Sequence, residues 1–278
     1  LTLDEFINYK THYAYEKKLH NFIKIESEFF LNLLDEYLNF GGYPRCVFAT
    51  SENEKKLYLD EIYKSYIEKD ISYWLNIDRV YAFKELIKYL SFYTGKIINY
   101  SEIASKINIS LVTLKNYIYY AQKTFIIDEV RPYFKNPLKE LVKSPVIYFN
   151  DIGLKNYISG RYNIAVEDPE KGFIFQNLVF NVLRQKTIFT PEVIKYWRTK
   201  DKAEVDFIID KGNCVIPIEV KYAKFKKANI PYSLISFIKR YSPEKAYIIN
   251  LNLDQLVKID KTEVNFISFS NFLFEEIS

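Results

Sequence analysis

The sequence predicts a mixed fold: an α-helical region first, a helix-turn-helix with strands in the middle, and an α/β domain last. Three observations carry this. Over residues 1–90, apolar residues return at three- and four-residue intervals, the period of helices with one buried face. Around Asn108-Ile109-Ser110, two short helical patterns meet at a turn and lead into β-prone runs. Beyond residue 150, helix and strand patterns alternate around a hairpin signal at Gly212. The expected boundaries are 1–90, 91–150 and 151–278.

At 278 residues the chain suits two or three modest domains. It is 49% hydrophobic and 18% aromatic, which excludes a disordered polar chain. A net charge of +4 permits nucleic acid as a partner without pointing to it. Cys46 and Cys214 are the two cysteines and form no disulfide framework. His12 and His20 lie close together without a cysteine nearby, so they make no zinc site and are expected at surface helix positions. No apolar run approaches a membrane span and no signal peptide opens the chain, so no membrane contact and a reducing, cytoplasmic setting are expected.

In order, Phe29, Phe30, Leu33, Leu34, Tyr37 and Leu38 form a helical stripe, which Gly41-Gly42-Tyr43-Pro44 stops. A further helix is expected from Glu52 towards Asp70, through Leu57, Ile62, Tyr66 and Ile67. Ser101 is expected to cap a short helix, Glu102–Ile107, and Ser110 a second one that buries Leu111, Leu114, Ile118 and Ala121. Its other side shows Thr113, Asn116, Tyr120 and Lys123, suited to phosphate or base-edge contacts. Phe125–Val130 and Val146–Phe149 would be wing strands, making a winged helix. The loop between them, bounded by Pro137 and Pro145, carries Lys135, Lys139 and Lys143. Wing lysines meet phosphate in DNA-binding examples, but winged helices also dock proteins, so DNA and protein both remain open. After Asn150-Asp151-Ile152-Gly153-Leu154, the loop Gly160–Lys171 reads as a linker. A helix over Phe173–Leu183, a strand near Ile194–Arg198, a helix over Ser233–Tyr241, a strand over Lys245–Asn250 and a closing segment over Phe266–Ile277 complete the reading. Lys224 to Lys227, with Phe225 among the lysines, could track a nucleic-acid backbone with some stacking, or simply be exposed.

The hairpin carries the chemistry. Ala203–Ile209 and Val215–Tyr222 are β-prone, and Asp210-Lys211-Gly212-Asn213 is turn chemistry. Alternation puts Glu204 and Asp206 on one face, and Glu219 and Lys221 together on the next strand. Closure near Gly212 brings Asp206 close to Glu219. Three carboxylates and a lysine would then converge. Paired carboxylates suit Mg²⁺, a hard cation with oxygen ligands, and Lys221 could orient a water or offset developing charge. A hairpin edge with solvated Glu and Lys has the same pattern.

Asp206 followed by Glu219-Val220-Lys221 resembles the PD-(D/E)XK nuclease fold. The runs Glu204-Val205-Asp206-Phe207 and Ile218-Glu219-Val220-Lys221 look like the version at the C-terminus of prokaryotic AAA+-type ATPases, where a domain of unassigned function follows the ATPase. The resemblance implies a restriction-endonuclease-like α/β fold, Asp206 and Glu219 as ligands of Mg²⁺ or Mn²⁺, Lys221 as the catalytic lysine, and Glu204 as an accessory group. The fold usually adds a glutamate from a preceding helix; within Gly172–Asn181 the matching position holds Gln176, and an amide oxygen is a poorer ligand. Phe40-Gly41-Gly42-Tyr43-Pro44-Arg45, with Tyr63-Lys64 through Lys69-Asp70-Ile71, resembles the helical region following the ATPase core. This implies an ATPase core as N-terminal neighbour. The chain lacks a G-x-x-x-x-G-K-[ST] loop, so it is not expected to bind ATP alone. Two functions follow as expectations: metal-dependent DNA cleavage, or a catalytically silent module that docks DNA or protein for the ATPase.

Overall fold

The computed structural model describes residues 1–277 apart from 17, 66–76, 137, 142 and 166–167. The chain divides into two units, Leu1–Glu129 with Val146–Asn177, and Val130–Pro145 with Leu178–Ser278.

The first unit is mainly helical: α1 (Leu3–Lys10), α2 (Leu19–Ile25), α3 (Ser27–Phe40), α4 (Pro44–Phe48), α5 (Glu52–Ser65) and α6 (Ile77–Phe92). The stripe on α3 buries Phe30, Leu33, Leu34, Tyr37 and Leu38, but Phe29 stays exposed at its margin. Gly41 ends α3 with φ +72°, a conformation that costs glycine little. On α5, Leu59 rather than Leu57 is buried, because the core-facing stripe runs through Lys55 and Leu59. Tyr66, Ile67 and Lys69-Asp70-Ile71 lie outside the described residues.

Then come α7 (Tyr100–Lys106), α8 (Leu111–Lys123), the start of β1 (Ile127–Pro132), β2 (Val146–Phe149) and α10 (Ile152–Ser159). Asn99, not Ser101, caps α7, since its side-chain oxygen accepts from the Ser101 and Glu102 amides. Ser110 caps α8 as expected, accepting from Thr113 N at 3.0 Å. Leu114, Ile118 and Ala121 are buried with Tyr117, whereas Leu111 is 41% exposed, because the first turn of α8 projects beyond the core. Phe125 is an exposed turn residue at φ +56°, so β1 starts two residues later than expected. Ile97 bridges to Val146 antiparallel, and Phe83, Leu86, Ile103, Leu114, Ile118 and Ile147 share one core.

Helix α10 is fastened to the end of α3. Its cap, Asp151, accepts from Gly42 N and Leu154 N, each at 2.8 Å, while Asn156 Nδ2 donates to the Leu38 and Asn39 carbonyls. The backbones approach so closely that a Cβ at Gly153 would stand 2.0 Å from the Phe40 carbonyl oxygen. Gly153→Ala is therefore expected to destabilise this unit by roughly 1–3 kcal/mol, as overpacking does. A urea midpoint equal to the native one would refute that tight contact.

The second unit holds a mixed sheet in the order β1-β3-β4-β5-β6-β8-β7, with β3 (Val193–Arg198), β4 (Glu204–Asp210), β5 (Val215–Val220), β6 (Lys245–Asn250), β7 (Gln255–Ile259) and β8 (Thr262–Ser268). β3–β4, β4–β5 and β7–β8 pair antiparallel; β1–β3, β5–β6 and β6–β8 pair parallel. The β7–β8 hairpin fills what reads in the sequence as connection and closing segment, and the short helix α13 (Phe269–Phe272) follows it. The short helix α9 (Leu138–Leu141) precedes β2. Helix α11 (Pro169–Thr187) begins inside the expected linker and passes from the first unit into the second. Phe180 on α11 stacks on Phe207 of β4. From α12 (Tyr232–Tyr241), Leu234, Phe237 and Ile238 pack with Val205, Ile208 and Ile248.

Candidate metal centre

The hairpin turns where expected: Asp210 Oδ1 accepts from Gly212 N at 2.9 Å, and Gly212 takes φ +82°. The ladder pairs Asp210 with Val215 and Phe207 with Ile218. Strict alternation along β4 then fails. Against β3, the pairs are Lys195↔Ile208 and Trp197↔Val205, so Asp206 and Phe207 together face the single residue Tyr196. This bulge lets Val205 and Ile208, three positions apart, enter one core, and it re-aims Asp206.

Beyond Phe207–Ile218 the two strands of the hairpin part. β5 stays with β6, through Glu219↔Ile248, Val220↔Ile249 and Lys221 N donating to the Ile249 carbonyl at 2.8 Å. The Val220 amide donates instead to Asp206 Oδ2 at 2.7 Å. A carboxylate thus replaces a ladder partner where the strands separate. Beside it, Lys221 Nζ donates to Glu219 Oε1 at 2.7 Å. Glu219 is only 4% exposed, because β5 is an interior strand covered by β6 rather than a solvated hairpin edge. Its second oxygen, Oε2, is buried with no hydrogen-bond partner among the described residues. Such an orphan acceptor is costly unless a cation or proton meets it.

The electrostatics follow. Burial, then the charge of Asp206, pushes the Glu219 carboxyl up to about 8. Burial also raises Asp206, against the opposing pull of Lys221 and the Val220 amide. For Lys221, burial alone would lower the pKa, but Glu219, Asp206 and Glu204 outweigh it and the net direction is upward. Asp206, Glu219 and Lys221 are therefore brought together as the sequence implies. Glu204 feels their field and is raised chiefly by burial, but Arg198 donates to its Oε2 at 2.9 Å. Among the described residues, no three His, Cys, Asp or Glu side chains form a ready cage for an ion. The expected convergence of three carboxylates reduces to two, with Glu204 turned to Arg198.

Gln176 lies in the first unit, buried, and its amide nitrogen donates to the Tyr148 hydroxyl at 3.0 Å. Next to it, Asn177 accepts from Phe149 N and donates to Phe149 O. On α8, Asn116 and Lys123 are exposed, with Lys123 Nζ 5.4 Å over the Tyr119 ring. Thr113 is held by Ser110, and Tyr120 is half-buried against the core. Lys135 and Lys143 are exposed in the second unit, Lys135 Nζ lying 5.7 Å over the Tyr241 ring; Pro137 and the side chain of Lys139 lie outside the described residues. Phe225 is not a free stacking ring, since it packs edge-on against Phe266. Sequence reasoning missed Arg198, the Val220 amide and the bulge; only Trp197-Arg198 preceding the hairpin hinted at the first.

Residues 31–164 match the family model of a domain of unknown function (DUF8612), and residues 171–272 that of a domain of unknown function (DUF4143). The chain is 26% identical over 259 residues to an uncharacterized protein of Methanocaldococcus jannaschii, covering 91% of this chain and 55% of that protein. It is 24% identical over 183 residues to uncharacterized proteins of Mycobacterium bovis and Mycobacterium tuberculosis, covering 65% of this chain and 41% of each. The chain thus spans about half the length, or less, of the curated relatives it matches. Among the described residues, no helix is long and apolar enough to cross a membrane. The α-helical first unit and mixed-sheet second unit make the fold class mixed α/β, while both thiols, buried Cys46 and exposed Cys214, are free.

Proposed function

We propose that the second unit is a PD-(D/E)XK-like nuclease that cleaves DNA with Mg²⁺ or Mn²⁺, within the C-terminal part of an AAA+-type ATPase family protein. The observation that carries this reading is the buried Oε2 of Glu219, beside Asp206 and Lys221 and without a hydrogen-bond partner among the described residues. Two carboxylates with one orphan oxygen fit a hard cation that takes its remaining ligands from water and phosphate. Asp206 and Glu219 would hold that ion, with Asp206 oriented by the Val220 amide. The ion supplies a Lewis acid for the phosphate and a more acidic water. Lys221, kept charged by its neighbours, orients the attacking water and offsets charge gathering on phosphate oxygens. In the first unit, the succession of α6, the Ile97 bridge, α7, α8, β1 and β2 supports a winged helix, and exposed Asn116 and Lys123 suit DNA contact. The extra length of the relatives is compatible with an ATPase core as neighbour.

A second reading, a silent DNA- or protein-docking module, is favoured by one observation: the position that matches the usual helix glutamate is Gln176, engaged with Tyr148. Calorimetric Mn²⁺ titration and plasmid nicking separate the two. The native protein is expected to bind Mn²⁺ and nick; Asp206→Ala should lose measurable binding and at least about 100-fold in nicking, with an unchanged circular dichroism spectrum. Mn²⁺ binding without nicking selects the silent module. No binding by native protein ends the metal reading.

A further inference from the structure

A groove of about 460 Å³ opens between the turn joining β3 to β4 and the first turns of α12, with Glu204 at the start of β4 on its lining. Asp201, Lys202 and Glu204 lie on one wall, Tyr232, Ser233 and Ser236 on the other. Its size is that of a small-ligand or nucleotide site. Tyr232 is 80% exposed, although it stands two residues before the fully buried Leu234. Lys224, Lys226 and Lys227 are exposed on the segment leading from Lys221 to this tyrosine.

From these features we propose that the groove holds single-stranded DNA, with Tyr232 stacking on an unpaired base. The proposal rests on the nuclease reading and narrows its substrate to DNA carrying a single-stranded segment. In an intact duplex both faces of a base are covered by its neighbours, so an open tyrosine ring gains a stacking partner only where a base is unpaired. Ser233 and Ser236 offer hydroxyl donors to phosphate and sugar oxygens, and the lysines supply the attraction that any nucleic-acid backbone needs. Asp201 and Glu204 repel phosphate at their end of the groove. Arg198 offsets part of that charge, and a cation on Asp206 and Glu219 would offset more, leaving the serine wall for the backbone.

The test is fluorescence anisotropy in Ca²⁺, used as a probe ion chosen to hold DNA without rapid turnover, with oligo(dT) and a blunt duplex of equal length. Tyr232→Ala should weaken oligo(dT) binding by roughly 5- to 150-fold, the equivalent of one lost stacking contact, and change duplex binding by less than about twofold. Tyr232→Trp should keep the affinity, and its added indole emission should be quenched by oligo(dT). The proposal is overturned if native protein does not bind oligo(dT), if Tyr232→Ala binds it normally, or if that variant weakens both DNAs equally. Failure of the underlying reading looks different: Asp206→Ala would then leave Mn²⁺ binding unaltered, whatever Tyr232 does.

Discussion

Glu219→Gln is expected to stabilise the metal-free protein at pH 8 and above while removing its stabilisation by Mn²⁺. The reason is the sign of the Glu219 shift. Its carboxyl titrates near 4.5 in a solvated chain and near 8 in the fold, so between those values the folded protein holds a proton that the unfolded chain has released. The stability tied to the neutral form is complete below about pH 4.5 and is lost as pH rises through about 8. Asp206 and Glu204 are shifted the same way and add to the slope. Lys221, also raised, contributes stability that fades only at more alkaline pH. Glutamine mimics the neutral carboxyl, with an N–H where the acid has its O–H, and never ionises. Melting curves should thus show the variant drawing ahead of native protein as pH rises from 5 to 9, each kcal/mol shifting the midpoint by about 2–4 °C. With Mn²⁺ in excess the order should invert, because an ion that binds only the folded native site stabilises it by mass action. Parallel pH profiles for both proteins would show that Glu219 is not strained by its ionised form.

How much of this arrangement is legible in the residues alone depends on what each feature needs. The β4–β5 turn needs only local chemistry, and Gly212 with Asp210 supplies it within the sequence window. The spacing of Glu219 and Lys221 likewise survives, since two residues apart on a strand share a face whatever lies beside them. The burial of Glu219 is not local. It depends on β6, which begins 26 residues later and pairs parallel, and nothing in the residues flanking Glu219 announces such a neighbour. The bulge at Asp206–Phe207 is hidden for the same reason, because only the register against β3 reveals it. The β7–β8 hairpin is hidden differently. Its turn uses Asp260 at φ +52° where a glycine would have been the signal, and β7 is a short strand, largely exposed, whose Val257 and Ile259 are only partly buried against the core. Asn99 capping α7 in place of Ser101 shows a third limit: two capping residues stand close together, and only the backbone decides which one is used.

Lys221→Ala should separate binding from chemistry in opposite directions. In the metal-free protein Nζ sits 2.7 Å from Glu219 Oε1 and its charge also acts on Asp206. A divalent ion approaching both carboxylates therefore meets a cation already in place. Removing the ammonium removes that repulsion and vacates Oε1, so Mn²⁺ should bind the variant at least as tightly as native protein. Cleavage should move the other way. On the nuclease reading, the ammonium steadies charge that develops only as the phosphate is attacked, and deleting one such donor typically costs about 100- to 1,000-fold in rate. Lys221→Arg keeps the charge but spreads it over a planar group with a different reach, and should recover only part of the rate. The measurements are Mn²⁺ calorimetry and single-turnover nicking on the same preparations. A variant that binds Mn²⁺ more weakly would mean that Lys221 organises the carboxylates rather than competing for them. A variant that nicks at the native rate would remove Lys221 from the chemistry altogether.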